Sequence, residues 1–76
     1  MDIVEAFGSV LRKYRKAANL SQEQLALECN LDRTYIGLLE RAQRQPTIST
    51  LFVISKALNI SPHIIIEDVE KLILVN

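Results

Sequence analysis

The sequence predicts an all-α domain of five helices, and three observations carry that expectation. Apolar residues recur at steps of three and four, cap and breaker residues punctuate the intervals between these runs, and only two glycines and two prolines occur in 76 residues, few for the turns of a sheet protein. No repeat and no Gly/Ser/Pro-rich linker divides the chain. A chain this short forms one core, so residues 1–76 read as a single domain.

The first helix is expected over about residues 3 to 18, with Ile3, Phe7, Leu11, Tyr14 and Ala18 on one face and Arg12, Lys13, Arg15 and Lys16 outside it. Asn19 and Leu20 break that pattern. Ser21 followed by Gln24 is a capping-box signature, in which each side chain satisfies an unpaired backbone N–H of the other, so a second helix starts there. It turns Leu25, Ala26 and Cys29 inward and stops at Asn30, a residue type that tolerates the left-handed conformation. Asp32 caps a third helix of about nine residues, with Ile36 and Leu39 inward and its end near Glu40 and Arg41. The stretch from Ala42 to Pro46 is a polar, basic loop. Thr47 or Ser49 caps a fourth helix with Leu51, Ile54 and Leu58 inward, ended by Asn59. Ser61 and Pro62 then form a cap and a first-turn proline, opening a fifth helix that runs to about Leu72.

Composition excludes several functions. Nine Lys plus Arg balance nine Asp plus Glu, so no global positive field favours nucleic acid and any such role must come from local clustering. One cysteine, Cys29, permits no internal disulfide, and one His with one Cys cannot complete a four-ligand zinc site, so neither metal nor other cofactor is expected. Cys29 reads as a small core residue, His63 as a surface residue and Tyr14 as part of the core stripe. No Gly-rich phosphate loop with Lys, no His-Glu-x-x-His and no nucleophile elbow occurs, and Glu67 and Asp68 point apart on a helix, so the chain is not expected to be an enzyme. No run approaches the roughly 18 apolar residues of a membrane span, and the N-terminus lacks a basic start before an apolar stretch. A cytoplasmic protein without a membrane partner is the expectation.

Residues 22 to 41 hold two short helices joined by a tight turn, with small Ala26 at their close approach, Asn30 at the turn, and Leu31, Ile36 and Leu39 facing the core. This is helix-turn-helix spacing. Here the chain resembles the phage-repressor-like, Xre-type helix-turn-helix regulators, whose fold is the lambda-repressor-like DNA-binding domain. The run Leu31-Asp32-Arg33-Thr34-Tyr35-Ile36 with Glu40-Arg41 is especially similar to the controller proteins of restriction-modification systems; Leu20-Ser21-Gln22 and Pro46-Thr47 extend the likeness over roughly residues 8 to 60. Ala42 departs from the pattern, standing where these proteins usually carry glycine.

The resemblance implies that helix three enters the major groove of double-stranded DNA while helix two crosses the backbone. With Ile36 and Leu39 buried, helical geometry turns Arg33, Thr34, Gly37 and Leu38 to the opposite face, where they would meet base edges. In isolation Arg33 reads as a solvated residue, and the motif makes it the leading base reader. A guanidinium can give two hydrogen bonds to guanine O6 and N7, worth about 1 to 3 kcal/mol of discrimination. Thr34 offers a hydroxyl and a methyl, Leu38 apolar area for a thymine methyl, and Gly37 close approach. Gln22, at the start of helix two, matches the family's phosphate-binding glutamine, and Tyr35, Gln43, Arg44 and Gln45 can reach the same strand. Arg12, Lys13, Arg15 and Lys16 read mainly as a solvated face, with Arg12 the candidate phosphate contact among them.

The last 13 residues, with Ile64, Ile65, Ile66, Val69, Leu72, Ile73, Leu74 and Val75, carry more apolar surface than one helical face can bury in a small monomer. Residues 62–76 are therefore expected to form a dimerisation segment with Ile65, Val69, Leu72 and Ile73 at the interface, aided by Phe52 or Val53. A helix packed all round inside the monomer, or a short strand from the isoleucine run, is the alternative. A homodimer would set two recognition helices about 34 Å apart, one turn of B-DNA, and match a palindromic operator. The functional expectation is a sequence-specific transcriptional regulator that blocks or recruits RNA polymerase. The rival expectation is an antitoxin or adaptor whose helical bundle mainly binds a protein.

Overall fold

Four of the five helices end in the same way, and those ends set the architecture. The computed structural model describes residues 1–74 and consists, over them, of α1 (Ile3–Ala17), α2 (Gln22–Cys29), α3 (Arg33–Glu40), α4 (Ile48–Ala57) and α5 (Pro62–Leu74). Asn19, Asn30, Ala42 and Asn59 take positive φ values of 59°, 55°, 60° and 57° at the ends of α1 to α4. At each end two backbone N–H groups reach back to the last turn, as Asn19 to Lys16 and Leu20 to Arg15 do, which satisfies carbonyls the helix leaves unpaired and reverses the chain sharply. Asn tolerates this conformation; Ala42 pays roughly 1 kcal/mol for it. The left-handed end after α3 thus forms without the usual glycine, with Gln43 N–H donating to the Leu38 carbonyl at 2.9 Å.

The starts of α2, α3 and α4 follow the expected chemistry, and α5 opens at Pro62 as expected. Ser21 and Gln24 form the capping box, Asp32 accepts from the Thr34 N–H at 2.9 Å, and Thr47 rather than Ser49 caps α4. Asp2 and Glu5 add a capping box at the start of α1. Helix α5 reaches Leu74, one half-turn beyond its expected end.

Helix α1 lies between α3 and α5, α2 packs on α3 and α4, and α5 turns by 110° from α4. Leu11, Leu25, Ile36, Leu39, Ile54 and Ile65 are fully buried at the common centre. Burial of each aliphatic side chain contributes about 1.5–3 kcal/mol. Cys29 belongs to this core, and burial pushes its thiol above the usual range. The Tyr14 hydroxyl donates to the Asp68 carboxylate, tying α1 to α5; the bond raises the phenol and lowers the carboxyl from their ordinary values. No single described helix is long and apolar enough to cross a membrane.

Gly8 decides how α3 is held. A Cβ there would fall 2.6 Å from the Leu39 carbonyl oxygen and 2.8 Å from that of Glu40, so only glycine lets α1 come this close to the end of α3.

Three expectations need correction. Ile3 and Ala18, the two ends of the expected inward stripe, are exposed, because Ala6, Phe7, Gly8, Val10 and Leu11 already fill the contact face of α1 and Ala18 lies past the helix end. Arg15, read as solvated, is buried. Ile65 and Val69, assigned to a dimer interface, are 0% and 5% exposed and belong to the monomer's own core; Leu72 and Ile73 are half-buried against it. Helix α5 is wrapped by α1 and α4 along this face, so the apolar excess is covered largely within the monomer. Phe52 and Val53, the secondary candidates, remain 58% and 43% exposed. Val75 and Asn76, the end of the expected dimerisation segment, lie outside the described residues.

Candidate nucleic-acid interface

Helix α3 turns two contrasting sides to its surroundings because its apolar residues repeat at helical spacing. Ile36 and Leu39 go fully into the core. Arg33 and Thr34, at the other side of its first turn, are exposed, as is Arg41 at its C-cap. Gln22, Arg33, Thr34, Gly37 and Arg41 together line a cleft of about 190 Å³.

Glu40, next to Arg41 in sequence, is engaged elsewhere. The Arg15 guanidinium donates from Nε to its Oε2 at 2.6 Å and from Nη2 to its Oε1 at 3.0 Å, while Arg15 Nη1 caps the Leu20 carbonyl at 2.8 Å. The carboxylate holds Arg15 firmly charged, pushing its pKa further up. Both side chains are at least 90% buried, so the pair is shielded from solvent and fixes α1 to the turn before α2 and to the end of α3. Asp32, the other acid on this stretch, is engaged as a helix cap. Among the described residues, neither Arg33 nor Arg41 has a carboxylate partner. The cleft thus carries two uncompensated guanidinium groups although the chain as a whole is neutral.

The expected site residues are distributed unevenly over this surface. Arg33 and Thr34 stand exposed at the start of α3, and Gln43, Arg44 and Gln45 are exposed on the loop after it. Gln22 is half-buried and partly committed, since its Nε2 donates to Glu40 Oε1 at 3.1 Å. Glu40 therefore fixes the orientation of the Gln22 amide at the opening of α2. Tyr35 and Leu38 are half-buried, so Leu38 offers less apolar surface than the exposed residue the sequence suggested. Gly37 is buried at the cleft floor rather than standing open, because the Arg41 side chain, one turn on, folds back over it. Arg12 is exposed on α1 and does not line the cleft. Arg41 is the cleft residue that sequence reasoning missed. The sequence places it at the end of the helix and, with Glu40, in the controller-like motif but not among the contact residues, although its position four residues after Gly37 and eight after Arg33 sets it on their face.

A stripe of donors on an outward helix, with a second helix opening its N-terminus beside it, can engage acceptor-rich edges and phosphate oxygens. A protein-family model described as Helix-turn-helix matches residues 11–65. The chain is 54% identical over 61 residues to the control protein C.SmaI of Serratia marcescens, covering 80% of this chain and 73% of that one. Its structure is similar to that of the restriction-modification controller protein C.AhdI from Aeromonas hydrophila, with a TM-score of 0.79 at 40% identity over 82% of this chain and 94% of the other. It is also similar to the restriction-modification controller protein C.Esp1396I, solved as a tetramer in complex with its natural 35 base-pair operator. That likeness has a TM-score of 0.86 at 38% identity over 97% of each chain.

Proposed function

Because the chain belongs to the helix-turn-helix family and, within it, to the controller proteins of restriction-modification systems, we propose that it regulates transcription by binding a palindromic operator as a homodimer. The observation that carries this reading is the cleft on α3, where Arg33 and Arg41 stand without counter-charge on a helix whose opposite face is locked into the core. Arg33, Thr34 and Leu38 are the base-reading candidates. Gln22, Tyr35, Gln43, Arg44, Gln45 and Arg12 are the phosphate contacts, holding register without reading sequence. Gly37 supplies room in the cleft rather than a contact of its own. The rival expectation of an antitoxin or adaptor has no counterpart among the relatives named above.

The dimer interface is assigned to the exposed outer side of α4, around Phe52 and Val53, in place of Ile65 and Val69. A two-fold arrangement presents two α3 helices about one helical turn of DNA apart, so the operator should be an inverted repeat. Occupying it would block or recruit RNA polymerase.

The test is selection from a pool of random-sequence duplexes. The protein should enrich an inverted repeat, and Arg33→Ala should lower affinity for it by about 1–3 kcal/mol per half-site while relaxing preference at one position. Recovery of no preferred duplex would end this reading.

A further inference from the structure

The floor of the cleft raises a question that helix geometry alone does not answer: why a glycine stands in the middle of an eight-residue helix, where alanine would favour the helical state. Gly37 has an ordinary helical φ, so no backbone conformation demands it. The reason lies in its neighbours. A Cβ at Gly37 would fall 2.9 Å from Arg41 Nη1 and 3.6 Å from Arg41 Cζ, and 3.4 Å from Gln22 Oε1. The Arg41 guanidinium occupies the space a side chain would take, lying back along α3 toward the opening of α2.

We propose that Gly37 is a positioning residue, whose missing side chain seats the Arg41 guanidinium beside Gln22 as a clamp on one DNA backbone phosphate. The inference rests on the operator-binding reading and adds to it a residue and a role. Three observations support it. Glu40, next to Arg41 in sequence, is held by Arg15 and cannot quench Arg41. Gln22 is anchored to the same Glu40 at 3.1 Å, so the wall opposite Arg41 is fixed. Gln22 is also the first residue of α2, whose unpaired backbone N–H groups and positive dipole end favour an anion, and in a docked helix-turn-helix this helix lies over the backbone rather than the bases. The cleft is thus graded, with a base-reading guanidinium at Arg33 and a phosphate-holding one at Arg41.

A simpler role for Arg41 is that a cation at the C-terminal end of α3 complements the helix dipole. The two roles differ in what they move. A dipole role changes stability, whereas a phosphate clamp changes the salt dependence of DNA binding, because each neutralised phosphate releases counterions.

The experiment measures affinity for the duplex selected by the wild type, across a series of salt concentrations, together with melting temperature. Arg41→Ala should weaken binding roughly tenfold and flatten the slope of log affinity against log salt by about 0.9 per protomer, with base preference unchanged. Gly37→Ala should do nearly the same while its melting temperature holds or rises, since the clash is with the mobile end of a side chain and alanine is the better helix former. The double variant should be no worse than Arg41→Ala alone. The proposal is overturned by a wild-type slope in Arg41→Ala, by losses that add in the double variant, or by wild-type binding in Gly37→Ala. An altered base preference in Arg41→Ala would equally overturn it. A wild type that retains no duplex would instead defeat the operator reading itself, before any variant is compared.

Discussion

The chain has two glycines, and they sit on opposite sides of the same helix. Gly8 of α1 meets the inner side of α3, where its missing Cβ would strike the backbone oxygens of Leu39 and Glu40 at 2.6 and 2.8 Å. Gly37 of α3 lies at the cleft, where its missing Cβ would strike the movable end of Arg41 at 2.9 Å. The first contact cannot give way and the second can. The inner side of α3 is thus set by rigid complementarity, with Ile36 and Leu39 fully buried and Glu40 locked to Arg15. On its outer side lie guanidinium groups with no carboxylate partner among the described residues. The contrast separates what builds the fold from what the fold presents.

The largest effect that would break this division should come from Arg15→Ala. It leaves the buried Glu40 carboxylate with only the Gln22 amide, and loss of one partner of a buried pair costs about 3–5 kcal/mol. Thermal unfolding would measure the loss, and a fall under 1 kcal/mol would show the pair to be far more hydrated than its burial implies. Gly8→Ala should come next, at about 2 kcal/mol, because overpacking against backbone outweighs the gain in helix propensity. Its proper comparison is Gly37→Ala, which should not destabilise at all; equal losses at the two glycines would erase the distinction between the two sides of α3.

Most of the fold was legible because helix boundaries here are written in local chemistry. Ser21 with Gln24, Asp32, Asn30, Asn59 and Pro62 each act through a backbone group within a few residues, so sequence alone locates them. The exposed positions of Arg33 and Thr34 followed from the periodicity of Ile36 and Leu39, and that of the 43–45 loop from its polar, basic composition before Pro46. The misreadings share another cause. Arg15 looked like one more cation on a basic helix, because its burial depends on Glu40, 25 residues away. Ile65 and Val69 were assigned outward from the amount of apolar surface in the last segment, yet amount does not say how much α1 and α4 can cover. Arg15, Ile65 and Val69 each needed a distance between elements. Arg41 did not, since its four-residue spacing from Gly37 along α3 was enough to set it on the cleft face.

The central claim is that the outer side of α3 is the surface that meets DNA. Backbone amide chemical shifts, followed as the selected duplex is added to the full chain, test it most directly. The largest changes should fall on Gln22, Arg33, Thr34, Gly37 and Arg41, continuing through Gln43 to Gln45. Saturable binding with α3 unshifted and the changes confined to other helices would contradict it.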